Sequence, residues 1–555
     1  MPARPRRRRI QLLLLLVVGS LVLLGARAAF LTTVRSADLT ERAAGQQRRE
    51  ADVPAPRGAI ISRDRKRLAD DRLAVTVVAT PYLVRDPERA ATQLAEALDR
   101  DVADVTEALK GSGGYAVVAR NVTPEAADRA RELAIPGIEF EDTYERILPR
   151  GKVAAQLVGL VGDDRAGLSG LEAQLDDHLT GKAGYRLEAR DPFGRPLRRI
   201  TDREPVPGRS VRLTIDTVIQ DRTERILTET REKFGAQAAT AVVMRPSDGA
   251  ILAMATVPGF DPEHREQLRE EPELERNRPV TDTFEPGSTF KVVTIAAALE
   301  QGLVSAETTY DLPSTLTRYD RTLGEAEPRP PVRWTVAEIL AKSSNIGTVL
   351  VGEQLGPREI NRWIERFGFG RKTGVEFPGE VAGTVLPTEQ WSGTSILNIP
   401  IGQGLTITLT QLAAAYAAIA NGGRAVRPHL VSRVGSEPAA PGRGPRILSA
   451  RTANALDSML RGVVSGDGTG TLAQVEGFEV AGKTGTANKI NPDSGEYDEY
   501  RVVASFVGYA PASRPQLLIA VAVDEPAGAA GGGDAAAPAF EQIAEFSLQT
   551  MGISP

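Results

Sequence analysis

Ala239-Thr240-Ala241-Val242-Val243-Met244-Arg245-Pro246-Ser247-Asp248-Gly249-Ala250-Ile251-Leu252-Ala253-Met254-Ala255 is the stretch from which the fold is read. Two short apolar runs flank Ser247-Asp248-Gly249, a strong turn signal, so the segment reads as a β-hairpin. Upstream, Val211 to Ile215 reads as a strand followed by a helix to about Phe234. Downstream, three more strands are legible, at Glu479 to Lys483, Val502 to Gly508 and Leu517 to Val523. A largely helical insert of more than 200 residues separates them from the hairpin. The pattern predicts an α+β domain, a five-stranded antiparallel sheet with helices on its faces.

The chain is 555 residues long, which implies more than one folded unit. A net charge of −5 gives no support to nucleic-acid binding, whose footprint is a basic excess. Cysteine is absent, which excludes disulfides, thiol nucleophiles and cysteine–zinc clusters. The three histidines, His178, His264 and His429, are far apart. No metal or cofactor site is expected, and any catalytic base is sought elsewhere.

Arg4 and Arg6 to Arg9 precede an apolar run, Ile10 to Ala26, which Ala28, Ala29, Phe30 and Leu31 extend. With Arg27 snorkelling to the interface, residues 10–31 are long enough to span a bilayer of about 30 Å. The arginines keep residues 1–9 in the cytoplasm and place the rest outside. Ala26-Arg27-Ala28 mimics a signal-peptidase site, but the arginine and the continued apolar stretch favour an uncleaved anchor. Removing the six positive charges of residues 1–27 from the total of −5 leaves −11 on the remainder.

Residues 32–210 read as a separate α+β pedestal. It opens with a polar stalk from Thr32 to Asp52 and continues with a strand at Leu73 to Thr80. Helical patterns follow at Glu88 to Leu98 and Val102 to Leu109, then a helix capped by Thr123 before Pro124. Glu141-Asp142 with Tyr144 begins like the acidic signature of peptidoglycan glycosyltransferases, but no histidine occurs before His178. The pedestal therefore reads as structural or partner-binding, and residues 211–555 as the catalytic domain.

Three motifs lie in that domain. In Glu285-Pro286-Gly287-Ser288-Thr289-Phe290-Lys291, a helical turn puts Ser288 and Lys291 on one face. A serine hydroxyl needs an adjacent base, and with histidine scarce a lysine of lowered pKa is the available substitute. Ser343-Ser344-Asn345 follows a helix opened by Thr335 with Glu338 as capping-box partner. It offers Ser343 as a hydroxyl relay and Asn345 as an amide for a substrate carbonyl. Lys-Thr-Gly occurs twice. Lys372-Thr373-Gly374 sits among glycines and reads as loop, whereas Lys483-Thr484-Gly485-Thr486 reads as an edge strand beside a cleft. There Lys483 supplies charge, Thr484, Gly485 and Thr486 a carboxylate cradle, and the Thr486 N–H an oxyanion contact. The chain has ten lysines against 57 arginines, so lysine in these positions suggests a chemical need.

S-x-x-K, S-x-N and K-T-G in this order form the signature of β-lactamases and penicillin-binding proteins. The chain resembles the class B, monofunctional penicillin-binding proteins, most closely the division-specific septal D,D-transpeptidases. The resemblance also covers Arg57-Gly58-x-Ile60, Ala154 to Gly159, Gly167 to Glu172, Gly402-Gln403-Gly404, Asn421-Gly422-Gly423, Asp467-Gly468-Thr469-Gly470 and Asp524-Glu525-Pro526. It departs at Ser62-Arg63-Asp64-Arg65, where the family usually has Asp-Arg-Asn-Gly. The resemblance implies that Ser288 attacks the D-alanyl-D-alanine carbonyl of a peptidoglycan stem peptide. It makes Lys291 the base, helped by Lys483, Ser343 the relay to the leaving amine, and Asn345 the holder of the substrate amide. The N–H groups of Ser288 and Thr486 form the oxyanion hole, Thr484 and Thr486 hold the carboxylate, and β-lactams acylate Ser288. It further implies a single-pass inner-membrane protein working with a SEDS-family glycosyltransferase and other division proteins. The rival readings are a serine β-lactamase or D,D-carboxypeptidase and a non-enzymatic penicillin sensor. No E-x-x-L-N segment lies between Asn345 and Lys483 to serve deacylation, and only nine residues precede the anchor as a cytoplasmic output.

Overall fold

The computed structural model describes residues 5–36, 48–111, 113–190, 196–319, 321–439, 441–442, 444–491 and 493–555. The tip expected at 1–9 and the stalk expected at 32–52 lie partly outside the described residues. Helix α1 (Pro5–Thr33) contains a 26-residue apolar stretch, Arg8–Thr33, long enough to cross a membrane. At 1.5 Å per residue it measures about 39 Å, more than the hydrocarbon core needs. It fits a single-pass anchor.

The chain forms two compact units. One comprises Leu73–Tyr144, Gly181–Pro207 and the described residues before Arg57. In it, the second half of β1 (Arg67–Ala79) pairs antiparallel with β2 (Ala116–Val122). Three helices, α2 (Pro87–Leu98), α3 (Val102–Leu109) and α4 (Pro124–Glu132), are each capped by a side chain, from Asp86, Asp101 and Thr123 respectively. Val75, Val77, Leu94, Leu98, Val105 and Ala127 are buried together between strands and helices. This unit carries none of the three motifs.

The other unit comprises Arg57–Arg72, Glu145–Thr180 and Gly208–Pro555. Its centre is the expected sheet: β3 (Ala238–Met244), β4 (Ile251–Val257), β5 (Ala481–Ile490), β6 (Tyr497–Ala510) and β7 (Leu517–Asp524). The order is β4-β3-β7-β6-β5, and every pairing is antiparallel. β5 runs on to Ile490, well past its expected end at Lys483, because β6 pairs with it as far back as Tyr497. The apolar pattern stops at Lys483 since the rest of β5 borders a cleft. Val211–Leu213 joins a different sheet, parallel to Ile60–Ile61 and antiparallel to Val431–Val434.

Seven helices of this unit matter for the site: α5 (Thr217–Lys233), α6 (Lys291–Glu300), α7 (Val336–Ala341), α8 (Asn345–Leu355), α9 (Leu409–Ala420), α10 (Ala450–Val464) and α11 (Ala537–Thr550). Alternate residues of a strand point to opposite faces, and the two cores divide accordingly. Ala239, Ala241, Val243, Ile519 and Val521 pack with Ile219 and Ile226 of α5 and Phe540 and Ile543 of α11. Val242, Met244, Leu518 and Ala520 face the other core, with Leu409 and Leu412 of α9 and all of the apolar face of α6. The insert is less helical than its sequence suggests. It includes the strand pairs Thr309–Leu312 with Val332–Thr335 and Thr315–Arg318 with Arg321–Gly324. Each of these strands is four residues long, at the lower limit of what a period-2 pattern can mark.

A buried ionic cluster ties together segments far apart in sequence. Arg57 Nε reaches Glu172 Oε2 at 2.6 Å, with both side chains at most 2% exposed. Arg146 pairs with Glu172 at 2.7 Å and with Asp71 at 3.1 Å, and Arg165 also pairs with Asp71. Where the chain departs from the family pattern, Asp64 accepts from Ser62 Oγ and from the backbone and hydroxyl of Thr217. Arg65 there has a φ of 64°, the left-handed region that glycine adopts without strain.

Candidate active site

Ser288 sits in a single 3₁₀ turn, Gly287–Phe290, that runs directly into α6. Gly287 has a φ of 52°, and a Cβ there would stand 2.8 Å from the Thr486 carbonyl oxygen. Glycine thus lets the serine turn lie against β5. Gly485 does the same from the strand, since its Cβ would meet Ser505 Oγ at 2.5 Å and Thr289 Cγ2 at 2.8 Å. The turn is fastened behind by Tyr416 of α9, whose hydroxyl donates to the Thr289 carbonyl at 2.7 Å. Glu285 fastens it in front, accepting from the Gly404 N–H at 2.9 Å and from Tyr497 Oη. Burial pushes the Glu285 carboxyl above its ordinary range, and those two donors pull it part of the way back.

Lys291 opens α6 and is fully buried. Its Nζ donates to the Ser343 carbonyl at 2.5 Å, to Ser343 Oγ at 3.2 Å and to Asn345 Oδ1 at 2.7 Å. The structure thus joins the first and second motifs through one amine. Burial brings the Lys291 pKa down to about 7, and the negative charge of Glu325 partly opposes the fall. Lys483 of β5 is also fully buried, donating to Thr484 O at 3.1 Å and Thr484 Oγ1 at 3.2 Å. Burial pushes its pKa well below the ordinary lysine range, and the like charge of Lys291 pushes it further.

The expected capping box is present: Thr335 and Glu338 bond reciprocally at the start of α7. Ser343 comes just after that helix with a φ of 56°, a left-handed conformation costing on the order of 1 kcal/mol or more for a residue with a Cβ. This kink separates α7 from α8. Ser344 then caps α8, accepting from the Gly347 N–H at 2.9 Å, and Asn345 is the first helical residue. The motif is therefore a helix–helix junction, not simply a helix end.

Thr484 Oγ1 lies 2.7 Å from Thr469 Oγ1, and Thr486 Oγ1 accepts from the Gly532 N–H at 3.1 Å. Lys372-Thr373-Gly374 is a loop, its Thr373 and Gly374 N–H groups bound to Glu380. Among the described residues no cluster of three histidine or acidic side chains suited to a metal ion occurs. The Ser288 turn against Thr486, the Lys291 amine on Ser343 and Asn345, and the Lys483 amine close enough to feel the Lys291 charge thus bring the three motifs together. Three participants had no individual reading in the sequence: Tyr416, Thr469 and Glu325. Thr469 lay in a segment noted only for its resemblance, and nothing in the spacing marks Tyr416 or Glu325.

The family of penicillin binding protein transpeptidase domains matches residues 239–545, and that of penicillin-binding protein dimerisation domains matches 52–213. The chain is 33% identical over 590 residues to penicillin-binding protein PbpB of Mycolicibacterium smegmatis, covering 97% of this chain and 90% of that one. It is 30% identical over 550 residues to peptidoglycan D,D-transpeptidase FtsI of Escherichia coli, covering 97% and 91%. Penicillin binding protein 3 from Mycobacterium tuberculosis, solved in complex with aztreonam, superposes with a TM-score of 0.72 at 31% identity, over 91% of this chain and 98% of that one. With this geometry and these relatives, the chain belongs to the class B penicillin-binding proteins, the serine-type D,D-transpeptidases that cross-link peptidoglycan.

Proposed function

We propose that Ser288 is the acylated nucleophile and Lys291 its base. The observation that carries this reading is the buried Lys291 amine, one helical turn beyond Ser288, with a pKa near 7. At neutral pH a large fraction of that amine is unprotonated and can take the serine proton. Ser288 Oγ then adds to the carbonyl between the two terminal D-alanines. The N–H groups of Ser288 and Thr486 receive the oxyanion. Ser343, in hydrogen-bond reach of Lys291, passes the proton to the departing D-alanine amine as the C–N bond breaks. Asn345 orients the substrate amide, while Thr484, Gly485 and Thr486 cradle the terminal carboxylate beside Lys483. In the second half an acceptor amine attacks the ester, its proton leaves through the same relay, and Ser288 recovers its hydrogen.

The outward assignments rest on resemblance and on charge. We place residues 1–9 in the cytoplasm, 10–31 in the membrane as an uncleaved anchor, a non-catalytic pedestal at 32–210 and the transpeptidase domain at 211–555 outside. Arg4 and Arg6 to Arg9, which precede the apolar run, support this orientation. The role is at the division septum, alongside a SEDS-family glycosyltransferase and other division proteins; likeness to FtsI and to stage V sporulation protein D of Bacillus subtilis supports it.

A fluorescent penicillin tests the site. The full-length protein should be labelled covalently, Ser288→Ala should not, and the label should persist for many minutes. Loss of label by rapid hydrolysis overturns the transpeptidase reading in favour of a hydrolase. Labelling that survives Ser288→Ala overturns the assignment of the nucleophile.

A further inference from the structure

Glu325 directly follows the short strand Arg321–Gly324 and lies 19 positions before Ser344, outside all three motifs. Its carboxylate grips the second motif with both oxygens. Oε1 accepts from Ser344 Oγ at 2.6 Å and pairs with Arg329 Nη2, also at 2.6 Å. Oε2 accepts from the Asn345 backbone N–H at 2.6 Å. The Asn345 side chain bonds back to the same segment, Nδ2 donating to the Gly324 carbonyl at 3.2 Å. The Glu325 and Arg329 side chains are only 7% and 12% exposed, so these are desolvated, charge-assisted bonds. The carboxylate also sits at the N-terminus of α8, where the helix dipole favours negative charge. Arg329 is braced in turn over the Trp334 ring, 4.7 Å from its centroid.

This anchor acts on the site without touching the cleft side of the motif. By fixing Ser344 and the Asn345 backbone, it holds the left-handed Ser343 and the Asn345 amide in place around Lys291 Nζ. We infer that Glu325, tempered by Arg329, is a positioning residue that locks the Ser343–Asn345 junction around the Lys291 amine and sets the protonation balance of that amine. The inference rests on reading Lys291 as the base. The charged groups around the amine are few. Lys483 faces it from β5, and Glu325 acts on it from the segment after Gly324. Lys342, next to Ser343, pairs instead with Asp467 at 3.2 Å, and Glu300 at the far end of α6 is bound to Ser449.

The test is the rate of acylation of the full-length protein in detergent by a fluorescent penicillin, followed from pH 5 to 9. Glu325→Gln keeps the volume but loses the charge. Its rate at pH 8 should fall at least tenfold, and the midpoint of its acid limb should move to lower pH than in the wild type. Arg329→Gln leaves the carboxylate and its two other donors in place but unmasks the charge, so its midpoint should move to higher pH. Glu325→Asp should keep the wild-type midpoint more nearly than Glu325→Gln does. Opposite shifts are not expected of a merely structural bracket. If both glutamine variants keep the wild-type midpoint, whatever their rates, the inference is overturned. Should Glu325→Gln not fold, the shift of Arg329→Gln decides by the same criterion. Failure of the wild type to label overturns the site reading itself, which separates the two outcomes.

Discussion

Tyr416 Oη donates to the carbonyl oxygen of Thr289 at 2.7 Å, so a helix of the apolar core holds the residue that follows Ser288. Tyr416 is fully buried. Tyr416→Phe keeps the packing and removes one bond. It should cost about 1 kcal/mol of stability, read as a lower denaturation midpoint, and slow acylation less than tenfold. A larger loss of rate with unchanged stability would mean that the bond orients the nucleophile more than it supports the fold.

The acylation rate of the wild type should rise with pH through a midpoint near 7, as the Lys291 amine loses its proton. Lys291→Arg should lower the rate by about 100-fold or more, because a guanidinium does not deprotonate at these pH values. Stopped-flow labelling across pH measures both. A midpoint close to the ordinary lysine value of 10.5 would remove Lys291 from the role of base.

Lys483 is buried beside a second cation, so the site is held at the expense of stability. Both lysines have folded-state pKa values below those of the unfolded chain. The unfolded state therefore binds more protons between pH 7 and about 10.5, and stability should rise with pH across that window. Lys483→Met should stabilise the fold most at pH 6, by about 1–3 kcal/mol read as a higher melting temperature, less at pH 9, and should abolish acylation. Thermal scans at the two pH values check the sign.

Thr469 shares a 2.7 Å hydrogen bond with Thr484. Thr469→Val frees the Thr484 hydroxyl to rotate away from the carboxylate it is proposed to hold. The second-order acylation rate should fall about tenfold, the equivalent of one lost hydrogen bond of some 1.4 kcal/mol. Saturation should be affected more than the limiting rate.

Glu172 is the hub of the buried cluster, bonded to Arg57 and Arg146. Glu172→Ala takes the shared carboxylate from two buried guanidinium groups, leaving Arg146 to Asp71 and Arg57 to the half-exposed Asp176. A loss of about 3–5 kcal/mol is expected, measured by denaturant unfolding, and a change under 1 kcal/mol would show the cluster to be dispensable.

The sheet was legible because β3, β4 and β7 are buried on both faces and so read as continuous apolar runs. The serine–lysine pair was legible because helical spacing alone puts residues three apart on one face. Arg57 and Glu172 were noticed only by resemblance, and the structure supplies the reason, a 2.6 Å ion pair between them. The remainder of the site depends on contacts that no local pattern encodes. Glu325 looks like any surface acid until the chain folds back upon Ser344, and β5 loses its apolar alternation where it begins to border the cleft. The departure at Ser62-Arg63-Asp64-Arg65 is accommodated locally, with Asp64 bound to Thr217 and Arg65 in a left-handed turn.

β5 is the last strand of its sheet, paired with β6 along one side only. A strand with a free side is a template onto which any extended chain can add. An enzyme whose substrates are peptides gains a docking rail from this at no cost in new structure, but the rail does not discriminate by itself. Selectivity must come from what flanks it, the small residues that let Ser288 approach and the two buried amines.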